Sequence, residues 1–249
     1  MNSRRKFLIQ GGMATTALLA AKPFKAIAGA SSPITGFGTN NRVIFLHTSD
    51  LHDATPHQLI SHIAELKSST GNVVLLNASN NVAGNVAALN YDASISQSNA
   101  VSATANNYRI IYKGNIKIGV ITATAGDTGL FSNVNTLASY LKKEKYCHLV
   151  VCLSQLGYKN KNTMDDLNLA AASSNLDIII GGDAKNFQSH PVIALNSKKE
   201  EVIIHSASGD PFACGIIKID FDGQGRKKHI GFTDQSLKNT APGRAMPAA

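Results

Sequence analysis

Short apolar runs that end in polar loops alternate with amphipathic segments through the first two thirds of this chain. Residues 43–46 and 73–76 are rich in valine, isoleucine and leucine, and the intervening residues 57–68 have the apolar spacing of a helix. Buried strands that alternate with helices are typical of sheets covered by helices. The pattern therefore predicts an α/β fold, and ligand sites in such folds lie at the carboxyl ends of the strands.

The remaining segments extend this pattern and become mostly strands toward the end of the chain. Lys113-Gly114-Asn115 separates two strand-like runs and predicts a hairpin. No internal repeat divides the chain, so one domain is predicted at residues 42–236, between a linker (31–41) and a flexible tail (237–249). We predict further strands at 108–112, 116–121, 149–153, 177–182, 191–195, 201–205 and 215–221, and helices at 137–144 and 163–174.

The first thirty residues have the order of an export signal. Arg4 and Arg5 precede Lys6, a short weakly apolar stretch follows, and small residues come near Ala30. Paired arginines followed by Phe-Leu resemble a twin-arginine (Tat) signal peptide, which a receptor reads. We therefore expect residues 1–30 to be a signal peptide and the mature protein to be periplasmic or otherwise exported and soluble. No cysteine follows the apolar stretch, so a lipoprotein is not expected; an amphipathic first helix is the alternative.

The excess of positive charge lies mostly in the same segment. The chain has 24 basic and 16 acidic side chains, a net charge of +8. Cleavage after Ala30 would remove five basic residues and no acidic one, which leaves +3. Tryptophan is absent and the aromatic residues are scattered, so no stacking platform for nucleic acid is predicted. A nucleic-acid or membrane-surface binder rests on charge alone, and no apolar run is long enough to span a bilayer in the mature form.

Five segments at predicted strand ends occur in a recognisable order. They are Phe45-Leu-His-Thr-Ser-Asp-Leu-His52, Leu75-Leu-Asn-Ala-Ser-Asn80 with Gly84, Asn90-Tyr-Asp-Ala93, Leu153-Ser-Gln-Leu-Gly-Tyr158 and Asp177-Ile-Ile-Ile-Gly-Gly-Asp-Ala-Lys185. This series resembles the motifs of 5′-nucleotidase-type metallophosphoesterases, in the calcineurin-like superfamily, from about residue 42 to 222. The resemblance implies a four-layer α/β/β/α sandwich in which two divalent cations bind phosphate and activate a hydroxide.

Few of the ligands that the resemblance implies are kept. Asp50 and His52 match the family's first pair, whereas Asn80 replaces the carboxylate that bridges the two metals. Asn99 stands where the family has its catalytic histidine, so no catalytic residue is assigned. At the other metal-ligand positions the family residues are replaced by Ser98, Gln155, Asp183 and Lys185.

These replacements predict a degenerate metal site. One divalent cation (Mg²⁺, Mn²⁺, Ca²⁺ or Zn²⁺) could still bind weakly through Asp50, His52, Asn80, Gln155 and Asp183. Lys185 would lie beside Asp50 and Asp183 in the implied fold, where its ammonium could replace a lost cation; the alternative is a solvated surface lysine.

Two functions follow from this resemblance. The first is a binding or partner protein that has lost dinuclear phosphohydrolase activity and interacts with a separately encoded 5′-nucleotidase-type protein or a small phosphate-containing ligand. The second is a weakly active phosphoesterase that hydrolyses phosphate esters such as nucleotides with one metal.

Outside the motifs, we expect His47 to be a core histidine bonded to backbone and Cys152 to be a small core residue. We expect Cys147 to lie on the same strand as Cys152, five residues away and on the opposite face, and not to pair with it.

Overall fold

The computed structural model describes residues 41–48, 57–69, 72–78, 91–95, 108–126, 129–159, 164–182, 190–206 and 213–236. These residues belong to one compact unit, Gly36–Ala249. The predicted signal peptide (1–30), the predicted tail (237–249) and all of the predicted linker except Asn41 lie outside them. None of the helices in the described ranges is both long and apolar enough to cross a bilayer.

Strands and helices alternate in the first part of the chain, and strands dominate the last part. In chain order the described elements are β1 (Arg42–Thr48), α1 (His57–Ser69), β2 (Val73–Asn77), β3 (Ala93–Ser94), β4 (Tyr108–Lys113), β5 (Ile116–Ala123), α2 (Leu130–Lys143), β6 (Leu149–Ser154), α3 (Asp166–Ala172), β7 (Ile178–Gly181), β8 (Val192–Leu195), β9 (Glu201–Ser206), β10 (Ala213–Phe221) and β11 (Lys227–Ser236).

The strands form two sheets. The first sheet has the order β11-β10-β1-β2-β3, and the second has the order β4-β5-β6-β7-β9-β8. In the first sheet β1, β2 and β3 are parallel, and in the second β5, β6, β7 and β9 are parallel. Three antiparallel pairs lie at the edges, where hairpins are easily closed: β4 with β5, β8 with β9, and β10 with β11. A fourth antiparallel pair, β1 with β10, lies inside the first sheet.

Three apolar clusters separate four layers. The largest lies between the sheets and combines β1 residues such as Phe45 with β6 residues such as Val151. A second packs α2 and α3 on the outer face of the second sheet. The third packs α1, through Ile63, on the outer face of the first sheet. This arrangement confirms the predicted α/β/β/α sandwich.

Two aspartates form contacts between the two sheets near the edges of the sandwich. Asp92, just before β3, accepts a hydrogen bond from the backbone N–H of Leu75 at 2.8 Å and from Lys113 Nζ of β4 at 3.1 Å. Asp177, just before β7, is bonded to Lys142 Nζ of α2 at 2.7 Å and to Lys227 Nζ of β11 at 2.8 Å. Each carboxylate therefore links an element of one sheet to the other sheet.

Several predicted boundaries were wrong. Helix α2 begins at Leu130 and not at residue 137, because Leu130, Val134, Ala138 and Leu141 form one buried stripe. Helix α3 begins at Asp166, capped by Asp165, and not at residue 163. Strands β3 and β11 were not predicted; β3 has only two residues, and β11 alternates polar residues with partly buried Ile230 and Phe232.

Cys147, Cys152 and Cys214 lie in the described part of the chain, where all three are buried and none forms a disulfide. Cys152 is a core residue of β6, as predicted, and Cys147 does not bridge to it. Cys147 precedes the strand, however, and belongs to the same apolar cluster as Cys152, so the expected separation onto opposite strand faces was wrong.

Candidate functional site

The carboxyl ends of the two sets of parallel strands meet at one edge of the sandwich. The side-chain Nε2 of Gln155, directly after β6, donates to the carbonyl oxygen of Ala78, directly after β2, at 3.4 Å. Gly182, directly after β7, packs its backbone against the same carbonyl, because a Cβ placed there would overlap Ala78 O. The strand ends from which the predicted site loops leave are therefore adjacent.

The end of β1 is fixed on both sides. Ala78 N donates to the Thr48 carbonyl at 3.1 Å, which joins the ends of β1 and β2. The Thr48 hydroxyl oxygen lies 3.1 Å from the hydroxyl of buried Tyr91. Burial raises the pKa of Tyr91 to about 12, so the phenol stays protonated and can donate to Thr48. This hydrogen bond therefore fixes the end of β1 at Thr48, which is two residues before Asp50 in the sequence.

A buried polar cluster supports the ends of β6, β7 and β9. The Ser154 hydroxyl donates to Oδ1 of Asp166, and its oxygen accepts from the N–H of Leu156 at 3.2 Å. A Cβ on Gly181 would lie 2.5 Å from the Ser206 hydroxyl and 3.0 Å from Oδ2 of Asp166. Because Gly181 has no side chain, there is space beside it for the Ser206 hydroxyl and the Asp166 carboxylate.

Burial and the nearby Asp166 carboxylate raise the pKa of the Cys152 thiol, in that order of size. The thiol therefore remains protonated, and a thiolate nucleophile at this position is disfavoured. Its closest polar contact is a weak one to the carbonyl of Leu153 at 3.9 Å.

Two buried histidines join the sheets beside these strand ends. His47 of β1 and His205 of β9 are 0% and 1% exposed, and Nε2 of His47 lies 2.5 Å from Nδ1 of His205. The rings meet edge to face, with centroids 4.7 Å apart. A Cβ on Gly215 would overlap His47 Nε2 and lie 2.9 Å from His205 Cε1, so glycine is required there. Phe232 covers His205 with its ring centroid at 5.8 Å.

Burial lowers the pKa of His47 well below its usual 6.5, and the neighbouring imidazole of His205 lowers it further. One ring nitrogen must donate and the other accept across this bond, and the lowered pKa keeps His47 itself neutral. His47 was predicted to be a core histidine, and it is buried; its bond is to another side chain and not to backbone, which corrects that prediction. In the described part of the chain, Nδ1 of His47 has no hydrogen-bond partner.

Gln155 is the predicted site residue that falls within the described ranges. Asp50 is two positions beyond Thr48, Asn80 is two beyond Ala78, and Asp183 follows Gly182 directly, so these residues continue from strand ends that the structure brings together. Arg4, Arg5, Asp50, His52, Asn80, Ser98, Asn99, Asp183 and Lys185 themselves lie outside the described residues. Among the described residues, no three His, Cys, Asp or Glu side chains cluster in a way that could hold a metal ion.

Sequence reasoning missed two buried pairs. Nothing in the sequence indicates that His205 and Asp166 have buried side-chain partners. Their partners are His47, 158 residues away, and Ser154, 12 residues away. The signal that the sequence offers for such pairs is the excess of polar residues at strand ends. This excess does not indicate which of those residues contact each other.

The fold is shared with solved nucleotidase structures. The 5′-nucleotidase precursor of Thermus thermophilus is 15% identical with a TM-score of 0.58, over 78% of this chain and 54% of that chain. NAD nucleotidase of Haemophilus influenzae is 13% identical with a TM-score of 0.60, over 77% of this chain and 49% of that one. A putative 5′-nucleotidase of Staphylococcus aureus is 13% identical with a TM-score of 0.52, over 83% and 56%.

The matched region corresponds to about half the length of these nucleotidases. No family model matches the chain, and no curated protein matches it either. At these identities the comparison concerns the fold, which is the one that the sequence motifs imply.

Proposed function

We propose that this protein is an exported phosphoesterase-like binding protein that has lost dinuclear-metal catalysis. Its ligand would be a small phosphate-containing molecule, or a 5′-nucleotidase-type protein encoded separately. The observation that carries the proposal is the role of Gln155, which stands at a histidine-ligand position of the motif series. Its side-chain N–H is used to hold the carbonyl of Ala78 at 3.4 Å, so the side chain serves to join the two sheets.

The donor set does not fit two divalent cations. Two +2 charges 4 Å apart repel by roughly 16 kcal/mol at an effective dielectric constant of 20. A bridging carboxylate offsets part of this repulsion, but the neutral amide of Asn80 offsets little of it. Lys185 has no lone pair to donate and adds a further positive charge. Both substitutions act against a dinuclear centre.

Lys185 has a second consequence in this proposal. An ammonium between Asp50 and Asp183 would offset one of the two carboxylate charges that a metal offsets elsewhere. One of its three N–H donors would remain for a phosphate oxygen. The site would then bind phosphate without a metal and would not activate water.

Metal analysis, a phosphatase assay and phosphate titration test the proposal together. We expect the purified mature chain to hold no stoichiometric metal, to show no turnover with Mn²⁺ or Zn²⁺, and to bind AMP or inorganic phosphate in EDTA. Lys185→Ala should abolish that binding, whereas Lys198→Ala, on the turn between β8 and β9, should not change it. Loss of binding in EDTA, or no change in Lys185→Ala, would contradict a metal-free phosphate site.

A weakly active phosphoesterase with one metal is the second candidate. Asp50 and His52 favour it, because both of the family's first-motif ligands are kept. Stoichiometric metal together with turnover that Asp50→Ala abolishes would establish this candidate and refute the first. Asp222→Ala, in the turn after β10, is the matched control, because it removes a carboxylate far from the strand-end loops in sequence.

Export is proposed from Arg4 and Arg5 and from the small residues near Ala30. Cell fractionation of a bacterial host should find a form shortened by about thirty residues outside the cytoplasm, in keeping with ordinary signal cleavage. Replacing both arginines with lysine, or deleting the Tat translocase, should keep the uncut form inside. Export that continues after either change would contradict the Tat assignment.

A further inference from the structure

Strand β4 is the edge of the second sheet in the described part of the chain. It pairs with β5 on one side, from Tyr108 opposite Ile121 to Lys113 opposite Ile116. The outer side of an edge strand presents backbone N–H and C=O groups that can pair with another strand. An extended peptide can add to such an edge, with backbone bonds supplying affinity and side chains supplying specificity.

Four of the chain's six tyrosines surround this edge. Tyr108 and Tyr112 are on β4, Tyr140 is near the end of α2, and Tyr146 follows that helix. The rings of Tyr108 and Tyr140 are 5.7 Å apart, and the side chains of Tyr112 and Tyr146 are 66% and 77% exposed. Exposed tyrosine is enriched at protein interfaces because it offers a large, stiff contact surface with a polar end.

Two lysines lie over these rings. Lys117 Nζ is 5.5 Å from the centroid of Tyr112, and Lys145 Nζ is 5.2 Å from the centroid of Tyr140. The bond between Lys145 and Tyr140 raises the pKa of the lysine and lowers that of the tyrosine. We call Tyr108, Tyr112, Tyr140, Tyr146, Lys117 and Lys145 the tyrosine–lysine patch.

The charges around the patch are mainly positive. Lys143 and Glu144 are exposed and directly precede Lys145 in the sequence, and Glu144 is the one acidic residue among them. Lys113, at the end of β4, is paired with Asp92 at 3.1 Å. The surface that remains favours a negatively charged partner.

Tyr146 gives an independent indication that this surface is used. Its φ of 54° is in the left-handed region that glycine prefers, which costs a bulky residue about 1 kcal/mol or more. Its ring is 77% exposed and so recovers little of that cost by burial within the chain. A strained, exposed aromatic residue is expected where the side chain serves a contact with another molecule.

We propose that β4 and the tyrosine–lysine patch bind an acidic, extended segment of another protein, which adds to the second sheet as a strand. The acidic side chains contact Lys117 and Lys145, and the partner backbone pairs with β4. A polypeptide fits better than a nucleic acid or a lipid surface, because β4 is an edge among the described strands and its outer backbone groups form a ladder that a peptide chain can complete. The proposal is independent of the phosphate site, since β5 separates β4 from β6.

Fluorescence anisotropy with defined peptides tests this proposal on the full chain. The probe is a labelled ten-residue peptide of alternating valine and glutamate, and its controls are the valine–lysine peptide and a valine–glutamate peptide with alternate amides N-methylated. We expect binding of the acidic peptide alone. The double variant Lys117→Glu/Lys145→Glu should weaken it at least tenfold, whereas Lys218→Glu, exposed on β10, should change it less than twofold.

Circular dichroism and thermal unfolding show whether each variant is folded. A further variant, Tyr146→Gly, removes the aromatic ring and places at this position a residue that accepts the positive φ. This variant should also weaken binding without loss of stability. Absence of binding by the acidic peptide overturns the proposal. Equal binding of the N-methylated peptide overturns strand addition, and binding to phosphatidylglycerol vesicles without peptide binding assigns the patch to an anionic lipid surface instead.

Discussion

Acidification should destabilise the protein through the buried pair His47–His205. The pKa of His47 is held well below 6.5 by burial and by His205. The unfolded chain binds a proton at this residue below about pH 6.5, and the folded chain does not. The stability that neutral His47 contributes is therefore complete above the unfolded pKa and is lost as the pH falls below it.

The size of this effect follows from one proton. Each pH unit below 6.5 costs about 1.4 kcal/mol until the folded pKa is reached, so going from pH 7.5 to 5.0 costs about 2 kcal/mol when His47 stays neutral in the folded chain over that range. That is a substantial share of the 5–15 kcal/mol typical of a folded domain. The pKa of His148 is also lowered, mainly by burial, and adds a loss of the same sign. Asp220 and Asp222, whose pKa values are lowered from 3.8 by their arginine partners and hydrogen bonds, titrate below this window.

Urea unfolding at several pH values isolates the contribution of His47. His47→Gln should reduce stability at every pH, and its loss between pH 7.5 and 5.0 should be about 2 kcal/mol smaller than that of the wild type. His148 is present in both proteins, so its contribution cancels in the difference. His190→Gln, at an exposed position, should leave the wild-type pH dependence unchanged. An unchanged slope in His47→Gln would refute the assignment of this proton to the buried pair.

Two substitutions test the contacts that hold the strand ends together. Gly182→Ala should lower the free energy of unfolding by about 1–3 kcal/mol, because the new methyl group overlaps the Ala78 carbonyl. Its control, Gly223→Ala, has open space around it and should change that free energy by less than about 0.5 kcal/mol. Equal effects of the two substitutions in urea unfolding would contradict the close approach of Gly182 to Ala78. Ser154→Ala should cost about 1–3 kcal/mol by removing a donor from the buried Asp166 carboxylate, and a change below about 0.5 kcal/mol would show that this bond does not matter to stability.

Most of the fold could be predicted because its strands carry their own signal. The runs at β2 and β6 are apolar on both faces and buried throughout, as strands inside a four-layer sandwich must be. The first half of α2 could not be predicted in this way, because Ser132, Asn133 and Asn135 are weak helix formers. Packing of Leu130 and Val134 against the second sheet overrides that local preference.

The loops of the candidate site could be predicted, because each motif lies at the end of a single strand. Contacts between different strand ends could not be predicted. The motif series locates the loops after β1, β2, β6 and β7, and the structure brings the ends of these strands together. It does not indicate that His205 pairs with His47, because nothing local relates residues 158 positions apart. Strand β11 was missed for a related reason: half of its residues face solvent at an edge, and its pairing with β10 defines it.

Within the described ranges, the contacts that hold the strand ends together use core residues and one predicted ligand side chain, that of Gln155. A site whose geometry depends on its metal loses its shape when the ligands change, since metal binding and folding are then coupled. Here buried bonds within and between the sheets hold the described strand ends together. Under the proposed function, these bonds preserve this edge of the sandwich without a metal, which is why the proposed phosphate site is assigned to the strand-end loops. The pairs that maintain it are Thr48–Tyr91, Ser154–Asp166, His47–His205 and Ala78–Gly182.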